Sequence, residues 1–219
     1  FFSTEERLLG LVHEKGKPNV CRQRCSFIAS LTEGFDTRLI ILIRRQDGFM
    51  ESMYNQSVKR GETRDFESYC ASLPLENYEW DKVVATYKDA FGSQNVTVIP
   101  FEKPILESSN NDATNILEAI IHAMGVNFQV HYEGFPIMNP SLPARFLPVQ
   151  RQANEVLSVD EAKEVANILA RSFSKDPNEK LGLFDDSGRR AILERYRESN
   201  CRLFTDHMPA YDEAEYVGF

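Results

Sequence analysis

Two adjacent arginines, Arg44 and Arg45, follow a run of five consecutive aliphatic residues, Leu39–Ile43. Such a run, without polar alternation, predicts a strand buried on both faces, as in the parallel sheets of α/β proteins. Asp47 then predicts the N-cap of a helix, whose free N–H groups and positive dipole end would lie beside the arginines. The arrangement predicts an anion-binding site at the carboxyl end of the strand.

Other chemistry is less well supported by the sequence. Arg44 or Arg45 could instead form a structural ion pair with Asp47 or Glu51, which would leave no anion site. The four histidines are scattered without ligand spacing, so no metal site is expected. The cysteines lack the paired spacing of a zinc site and are interpreted as reduced thiols; they are Cys21, Cys25, Cys70 and Cys201.

Length and composition set the class of protein. The chain has 219 residues and is 42% hydrophobic, which is typical of one soluble domain that buries its own core. Its net charge of −8 argues against nucleic acid or an anionic membrane as the main partner. We therefore expect a single α/β domain over residues 1–219, with any basic site confined to a small region.

The hydrophobic pattern alternates between helices and strands. Helices are predicted at Thr4–Lys15, Val20–Glu33, Asp47–Arg60, Asp65–Leu73, Asn77–Phe91, Asp112–Met124, Val149–Leu157, Val159–Phe173 and Ser187–His207. A second strand is predicted at Asn95–Phe101, and the acidic tail after Pro209 is predicted to be mobile. Two strands are few for a parallel sheet, so further strands are expected upstream of Phe1.

The segment from Gly10 to Pro18, GLVHEKGKP, has a partial likeness to the phosphate-binding pattern G-x-x-x-x-G-K-[ST]. Its glycines are one residue too far apart, and Pro18 stands where a hydroxyl is required. The segment also follows a predicted helix, whereas such a loop follows a strand. No phosphate-binding loop is therefore predicted within the chain.

Four blocks of the sequence follow one another in the order of a known family. The first, ILIRRQDGFMESMYNQSVKRG, matches the pattern hhLRRQDxFhxSxYxQxVKxG that follows a buried strand. The later blocks YEWDKVVATYKDAFGSQNVTVIPFEK, MNPSLP and ILERYRESNCRLF are individually weak but gain weight from their order. Over almost its whole length, the chain thus resembles the prokaryotic-type sulfotransferase family.

This resemblance implies a P-loop-like, three-layer α/β fold with a small parallel sheet and a helical C-terminal half. It implies 3′-phosphoadenosine 5′-phosphosulfate as the co-substrate, with its 3′-phosphate held by an arginine at the strand end and a serine eight positions later. Here these residues are Arg44 and Ser52. Arg44 can offer two parallel N–H donors to phosphate oxygens. Gly48, one turn before Ser52, leaves room for an anion to reach the hydroxyl.

Further nucleotide contacts are possible for three other residues. Arg45 adjoins Arg44, and Asn139 and Ser141 lie in the proline-bearing loop before the C-terminal helices. Asn139 and Ser141 could also shape the acceptor cleft. A role in forming the turn is at least as open for both, because both residue types favour turns. The predicted cofactor-binding set is therefore Arg44, Ser52, Arg45, Asn139 and Ser141.

The resemblance implies sulfuryl transfer to an acceptor hydroxyl, with a carbohydrate as the expected acceptor. The family's K-x-G-T-T-like loop and its acidic residue before the FF position have no counterpart in this sequence. They would fall upstream of Phe1, so the catalytic residues are unknown and the 219 residues alone are expected to be inactive. Two alternatives remain: another nucleotide-dependent transferase, or a non-catalytic nucleotide-binding or interaction module of the same fold.

No stretch of the sequence reaches the approximately 18 apolar residues that a membrane-spanning helix requires, and the first residues lack a signal pattern. Reduced cysteines favour the cytoplasm. A luminal enzyme with a membrane anchor upstream of Phe1 would give the same pattern.

Overall fold

The computed structural model describes residues 20–102, 116–126, 141–173 and 181–217. Within these ranges the chain is mixed α/β and mostly helical, with two parallel strands, β1 (Leu39–Ile43) and β2 (Val96–Pro100). Ile41 lies opposite Val98. Both predicted strands are confirmed, the second being one residue shorter at each end. Branched aliphatic residues, which fit a pleated and partly buried surface, make up much of both strands.

The two strands are not covered equally along their length. Ile41 and Ile43 are 6% and 4% exposed, whereas Leu42 between them is 42% exposed. Successive side chains of a strand point to opposite faces, so the face that carries Leu42 is covered less than the other. The prediction that β1 is buried on both faces is therefore wrong at Leu42.

Helices supply most of the described chain. They are α1 (Cys21–Leu31), α2 (Gln46–Lys59), α3 (Phe66–Ala71), α4 (Trp80–Phe91), α5 (Ile116–Ala123), α6 (Leu147–Val156), α7 (Val159–Phe173), α8 (Asp186–Arg195), α9 (Arg197–Arg202) and α10 (Glu213–Val217). The predicted bounds of α7 are confirmed at both ends, and its apolar positions recur with helical spacing. The helix predicted at Thr4–Lys15 lies outside the described residues.

Two long predicted helices are broken in the structure. The helix predicted at Asn77–Phe91 begins instead as a 3₁₀ turn, Leu75–Tyr78, and α4 starts two residues later. The helix predicted at Ser187–His207 divides into α8, α9 and a π-helical turn, Leu203–His207. The break between α8 and α9 falls at Tyr196, which is 2% exposed and whose hydroxyl donates to the Leu75 carbonyl at 2.6 Å.

The tail after Pro209 contains a helix and a buried anchor. Tyr216, on α10, is fully buried, and its ring packs against Phe204 with centroids 5.0 Å apart. The prediction of a mobile tail is therefore wrong at this point, because burial of a large aromatic side chain offsets the entropy lost by ordering the segment.

The contacts of the chain group into two compact units. The first comprises Phe1–Arg45, Leu73–Val130 and Leu193–Phe219, and the second comprises Gln46–Ser72 and His131–Ile192. The prediction of a single sulfotransferase-like domain stays a prediction.

In the first unit, helices pack on each other and on β2. The Cys25 thiol of α1 donates to the Thr86 carbonyl of α4 at 3.5 Å. Ile99 of β2 and Ala119 of α5 form the centre of an apolar cluster, against which Ile40 packs. This apolar contact packs the strand pair against α5.

In the second unit, α2 packs against α6 and α7. Tyr54 of α2 lies 5.2 Å, between ring centroids, from both Phe66 and Tyr69. Phe66 also makes an edge contact with Phe184 at 4.7 Å. These aromatic contacts tie α2 to α3 and to the segment that precedes α8.

Every helix in the part of the chain that the structure describes is too short or too polar to cross a lipid bilayer.

Candidate anion site

Arg44 is the first residue after β1, and its main chain is anchored. The Trp80 indole N–H donates to the Arg44 carbonyl at 2.9 Å. The guanidinium lies over the Phe101 ring, with 5.4 Å from its central carbon to the ring centroid. Among the described residues, none accepts a hydrogen bond from this half-buried guanidinium. Arg44 is therefore a cation that an aromatic ring and a main-chain hydrogen bond position at the end of β1.

Arg45, the next residue, has a different environment. Its main-chain N–H donates to Glu102 Oε1 at 2.6 Å, and its guanidinium donates to the Tyr216 carbonyl at 3.3 Å. These contacts join the ends of both strands and the C-terminal helix α10. The predicted binding residue Arg45 thus has a structural role in the first unit, whereas the Arg44 guanidinium donates no hydrogen bond to any residue that the structure describes.

Glu102 is a candidate that the sequence interpretation missed. It lies at the carboxyl end of β2, two residues after Pro100, just as Arg44 and Arg45 follow β1. Burial raises the pKa of Glu102, and the positive charges of Arg44 and Arg45 oppose that rise. The sequence did contain a signal for Glu102, namely a charged residue close behind an apolar strand. Ligands of parallel sheets bind beyond the carboxyl ends of the strands, so such a residue is a candidate for binding.

The start of α2 differs from the prediction. The helix begins at Gln46, so Asp47 is a residue of its first turn and not its N-cap. Asp47 is 1% exposed and forms an ion pair with Arg189 of α8. The prediction of an Asp47 cap is therefore wrong, because the helix begins one residue earlier. The carboxylate contacts a residue that is 142 positions away in the sequence.

Glu51, one turn further along α2, shares the same arginine. It is 5% exposed, and its Oε1 accepts from the second terminal nitrogen of Arg189 at 3.2 Å. The same oxygen accepts the main-chain N–H groups of Leu183 and Phe184 at 2.9 and 3.0 Å. Two buried carboxylates thus complement the positive end of α2, which weakens the argument that this helix end attracts a ligand anion.

The other predicted residues stand as follows. Ser52 is half-buried on α2, and among the described residues no partner hydrogen-bonds its hydroxyl. Ser141 is exposed, whereas Leu142 beside it is fully buried. The Asn55 side chain fixes Leu142 from α2 by donating to its carbonyl at 2.7 Å and accepting its N–H at 3.1 Å. Asn139 lies outside the described residues.

No group of three or more His, Cys, Asp or Glu side chains within the described ranges is placed to hold a metal ion. The four cysteines are free thiols. Burial raises the pKa of the Cys25 thiol to about 11, so this group is a poor nucleophile at neutral pH.

Comparison with known proteins gives one distant relative. An uncharacterized protein of Archaeoglobus fulgidus is 24% identical to this chain over 173 residues, which is 78% of the chain and 46% of the relative. The chain thus spans about half the length of the curated relative that it matches. No protein-family model matches the chain, and no solved structure matches it. The resemblance of its sequence blocks to sulfotransferases stays a prediction.

Proposed function

We propose that the chain is part of a sulfotransferase that uses 3′-phosphoadenosine 5′-phosphosulfate and transfers a sulfuryl group to an acceptor hydroxyl on a carbohydrate. The observation that carries the proposal is the Arg44 guanidinium, which lies at the carboxyl end of a parallel strand and has no hydrogen-bond acceptor among the described residues. The parallel strand pair is compatible with the P-loop-like fold that the sequence resemblance implies.

Each proposed binding residue has a defined task. Arg44 donates two N–H groups to oxygens of the 3′-phosphate. For Ser52, the role of a further donor is implied by the sequence resemblance alone. Trp80 and Phe101 support Arg44 by fixing its carbonyl and by stacking against its guanidinium. A preset orientation reduces the entropy that is lost when the phosphate binds.

The transfer step needs groups beyond these residues. Sulfuryl transfer is an in-line displacement in which negative charge develops on the leaving nucleotide, so a cation must stabilise that charge while a base removes the proton of the acceptor. The loop and the acidic residue that the sequence resemblance implies for these roles have no counterpart in this sequence. We therefore propose nucleotide binding for the described residues and leave the catalytic residues unassigned.

Nucleotide titration of the full-length protein tests the proposal. Adenosine 3′,5′-bisphosphate should raise the melting temperature more than ATP at equal concentration. At about 100 times its dissociation constant, a ligand adds about 2.7 kcal/mol to the free energy of unfolding. Arg44→Ala should remove most of this effect. The control is Arg38→Ala, which removes the same charge from an exposed position before β1 and should retain it.

The same titration separates the alternatives. A larger stabilisation by ATP would support another nucleotide-dependent transferase. Equal binding of the bisphosphate by wild type and Arg44→Ala would contradict the proposed site. The full-length protein could also bind the nucleotide through Arg44 and yet transfer no sulfuryl group to any carbohydrate acceptor. That result would identify a non-catalytic nucleotide-binding module.

A further inference from the structure

The Glu102 carboxylate has one oxygen with a partner and one without. Its Oε1 accepts the Arg45 N–H at 2.6 Å, which holds the carboxylate beside the end of β1, one residue from Arg44. Its Oε2 is buried, and no group in the described chain hydrogen-bonds it. Buried polar atoms without a partner are few in native proteins, and each one requires an explanation.

The hydrogen bond from Arg45 does not by itself require a carboxylate at this position, because a glutamine would accept the same N–H through its amide oxygen. The nearby positive charges of Arg44 and Arg45 favour the ionised form of Glu102, but among the described residues neither guanidinium donates a hydrogen bond to its carboxylate. Burial also makes the ionised form costly. The second oxygen becomes useful when a bound ligand supplies a donor to it, because a donor stabilises the charged form.

Arg44 and Glu102 together favour a ligand with two unlike groups. The guanidinium attracts an anionic group, whereas the carboxylate repels an anion and accepts a hydroxyl or amine proton. Both residues lie beyond the carboxyl ends of two paired parallel strands, where α/β proteins bind their ligands. A phosphorylated sugar with a hydroxyl beside its phosphate satisfies both residues.

We propose that Glu102 Oε2 accepts a hydrogen bond from the sugar hydroxyl next to the phosphate that Arg44 binds. This inference rests on the proposed function, in which the ligand's 3′-phosphate is adjacent to the ribose 2′-hydroxyl. Because this oxygen is buried in the structure, the proposed contact requires it to become accessible to the ligand. Glu102 then distinguishes ribonucleotides from their 2′-deoxy analogues.

The test compares two ligands on the full-length protein by calorimetric titration: adenosine 3′,5′-bisphosphate and its 2′-deoxy analogue. A hydrogen bond to a charged acceptor predicts that wild type binds the ribonucleotide about tenfold more tightly or better. Glu102→Met removes the acceptor, so this variant should bind the two ligands equally. Glu76→Gln, which neutralises an exposed glutamate of the same unit, should discriminate like wild type.

The outcomes separate this inference from the proposal on which it rests. Equal affinity of wild type for the two ligands would overturn the role of Glu102 and leave the proposed nucleotide site intact, even if Glu102→Met fails to fold. The role of Glu102 would also be overturned if folded Glu102→Met preferred the ribonucleotide over its 2′-deoxy analogue as strongly as wild type does. Failure of wild type to bind either bisphosphate would overturn the proposed function, and the inference with it.

Discussion

The indole N–H of Trp80 donates a 2.9 Å hydrogen bond to the main-chain carbonyl of Arg44. Trp80 is the first residue of α4, so this bond fixes the helix to the point where the chain leaves β1. The strand pairing extends to the same point, because the Phe101 N–H donates to the Ile43 carbonyl at 2.7 Å. The position of the Arg44 main chain is therefore set from two sides before any ligand binds.

Trp80→Phe should weaken this anchor while keeping an aromatic ring next to Tyr78, whose centroid lies 5.9 Å from the indole. The Arg44 carbonyl loses its donor, so the free energy of unfolding should fall by about 1–2 kcal/mol in urea titrations. Binding of adenosine 3′,5′-bisphosphate should weaken several-fold as well, because Arg44 becomes less constrained.

Asn95→Ala is the matched control for Trp80→Phe. The Asn95 side chain donates to the Phe91 carbonyl at 2.8 Å, before the start of β2. Loss of this bond should lower stability by a similar amount and leave nucleotide affinity unchanged. If both variants bind the bisphosphate like wild type, the Trp80 bond contributes to stability alone.

Arg189→Met should be strongly destabilising. Asp47 and Glu51 are 1% and 5% exposed, and Arg189 is the cation that contacts both. Removing one member of a buried ion pair leaves an uncompensated buried charge and costs about 3–5 kcal/mol. The measurement is the urea dependence of unfolding near neutral pH. Arg189→Lys should recover only part of the loss, because one compact ammonium replaces the two separate terminal nitrogens that contact Asp47 and Glu51.

The control for this prediction is Arg197→Met. Arg197 pairs with Glu194 at 3.3 Å, and both side chains are largely exposed, at 72% and 71%. Exposed pairs contribute about 0–1 kcal/mol, so this change should have little effect on unfolding. A loss of comparable size in the two variants would indicate that burial of Asp47 and Glu51 does not decide the cost.

Local pattern was sufficient to predict the strands and most helices. The uninterrupted aliphatic run predicted both ends of β1 correctly, and the spacing of apolar residues did the same for α7. Arg44 was placed correctly after β1 for the same reason. These features depend on neighbours in sequence, which is the information that periodicity contains.

Long-range contacts account for what the sequence did not predict. Nothing close to Asp47 in sequence indicates Arg189, and nothing close to Tyr196 indicates that its hydroxyl bonds the Leu75 carbonyl. The same is true of Glu102, whose partner Arg45 is 57 residues away. In each case, the sequence interpretation used only the residues near the polar group, whereas its hydrogen-bond partner lies in a segment that is distant in sequence and close in the fold.

Glu102 should make stability depend on pH in an unusual direction. Its pKa is raised by burial, so between the ordinary glutamate value of about 4.3 and the raised value the folded protein keeps a proton that the unfolded chain has lost. The contribution of this group to stability therefore falls as pH rises through that window. Glu102→Gln does not titrate and still accepts the Arg45 N–H.

The measurement compares the urea midpoints of wild type and Glu102→Gln at pH 4 and pH 8. The stability of the variant relative to wild type should increase from the lower to the higher pH. Glu76→Gln provides the control for a lost surface charge and should show a smaller change. A difference that stays constant with pH would mean that Glu102 titrates normally.

Asn55 offers a final test within the second unit. Its side chain is fully buried and satisfies both main-chain polar groups of Leu142, the residue after Ser141. Asn55→Ala leaves the N–H and the carbonyl of Leu142 without their partners, so the free energy of unfolding should fall by about 2–4 kcal/mol. Asn55→Asp keeps the acceptor for the N–H but loses the donor to the carbonyl and buries a charge, so its loss should be larger at pH 8 than at pH 4. Urea unfolding of both variants at the two pH values measures this difference. If the free energy of unfolding of Asn55→Ala instead lies within roughly 0.5 kcal/mol of the wild-type value, it falls in the range of a surface substitution. That result would mean that water has replaced the amide and that the two hydrogen bonds do not stabilise the chain at Leu142.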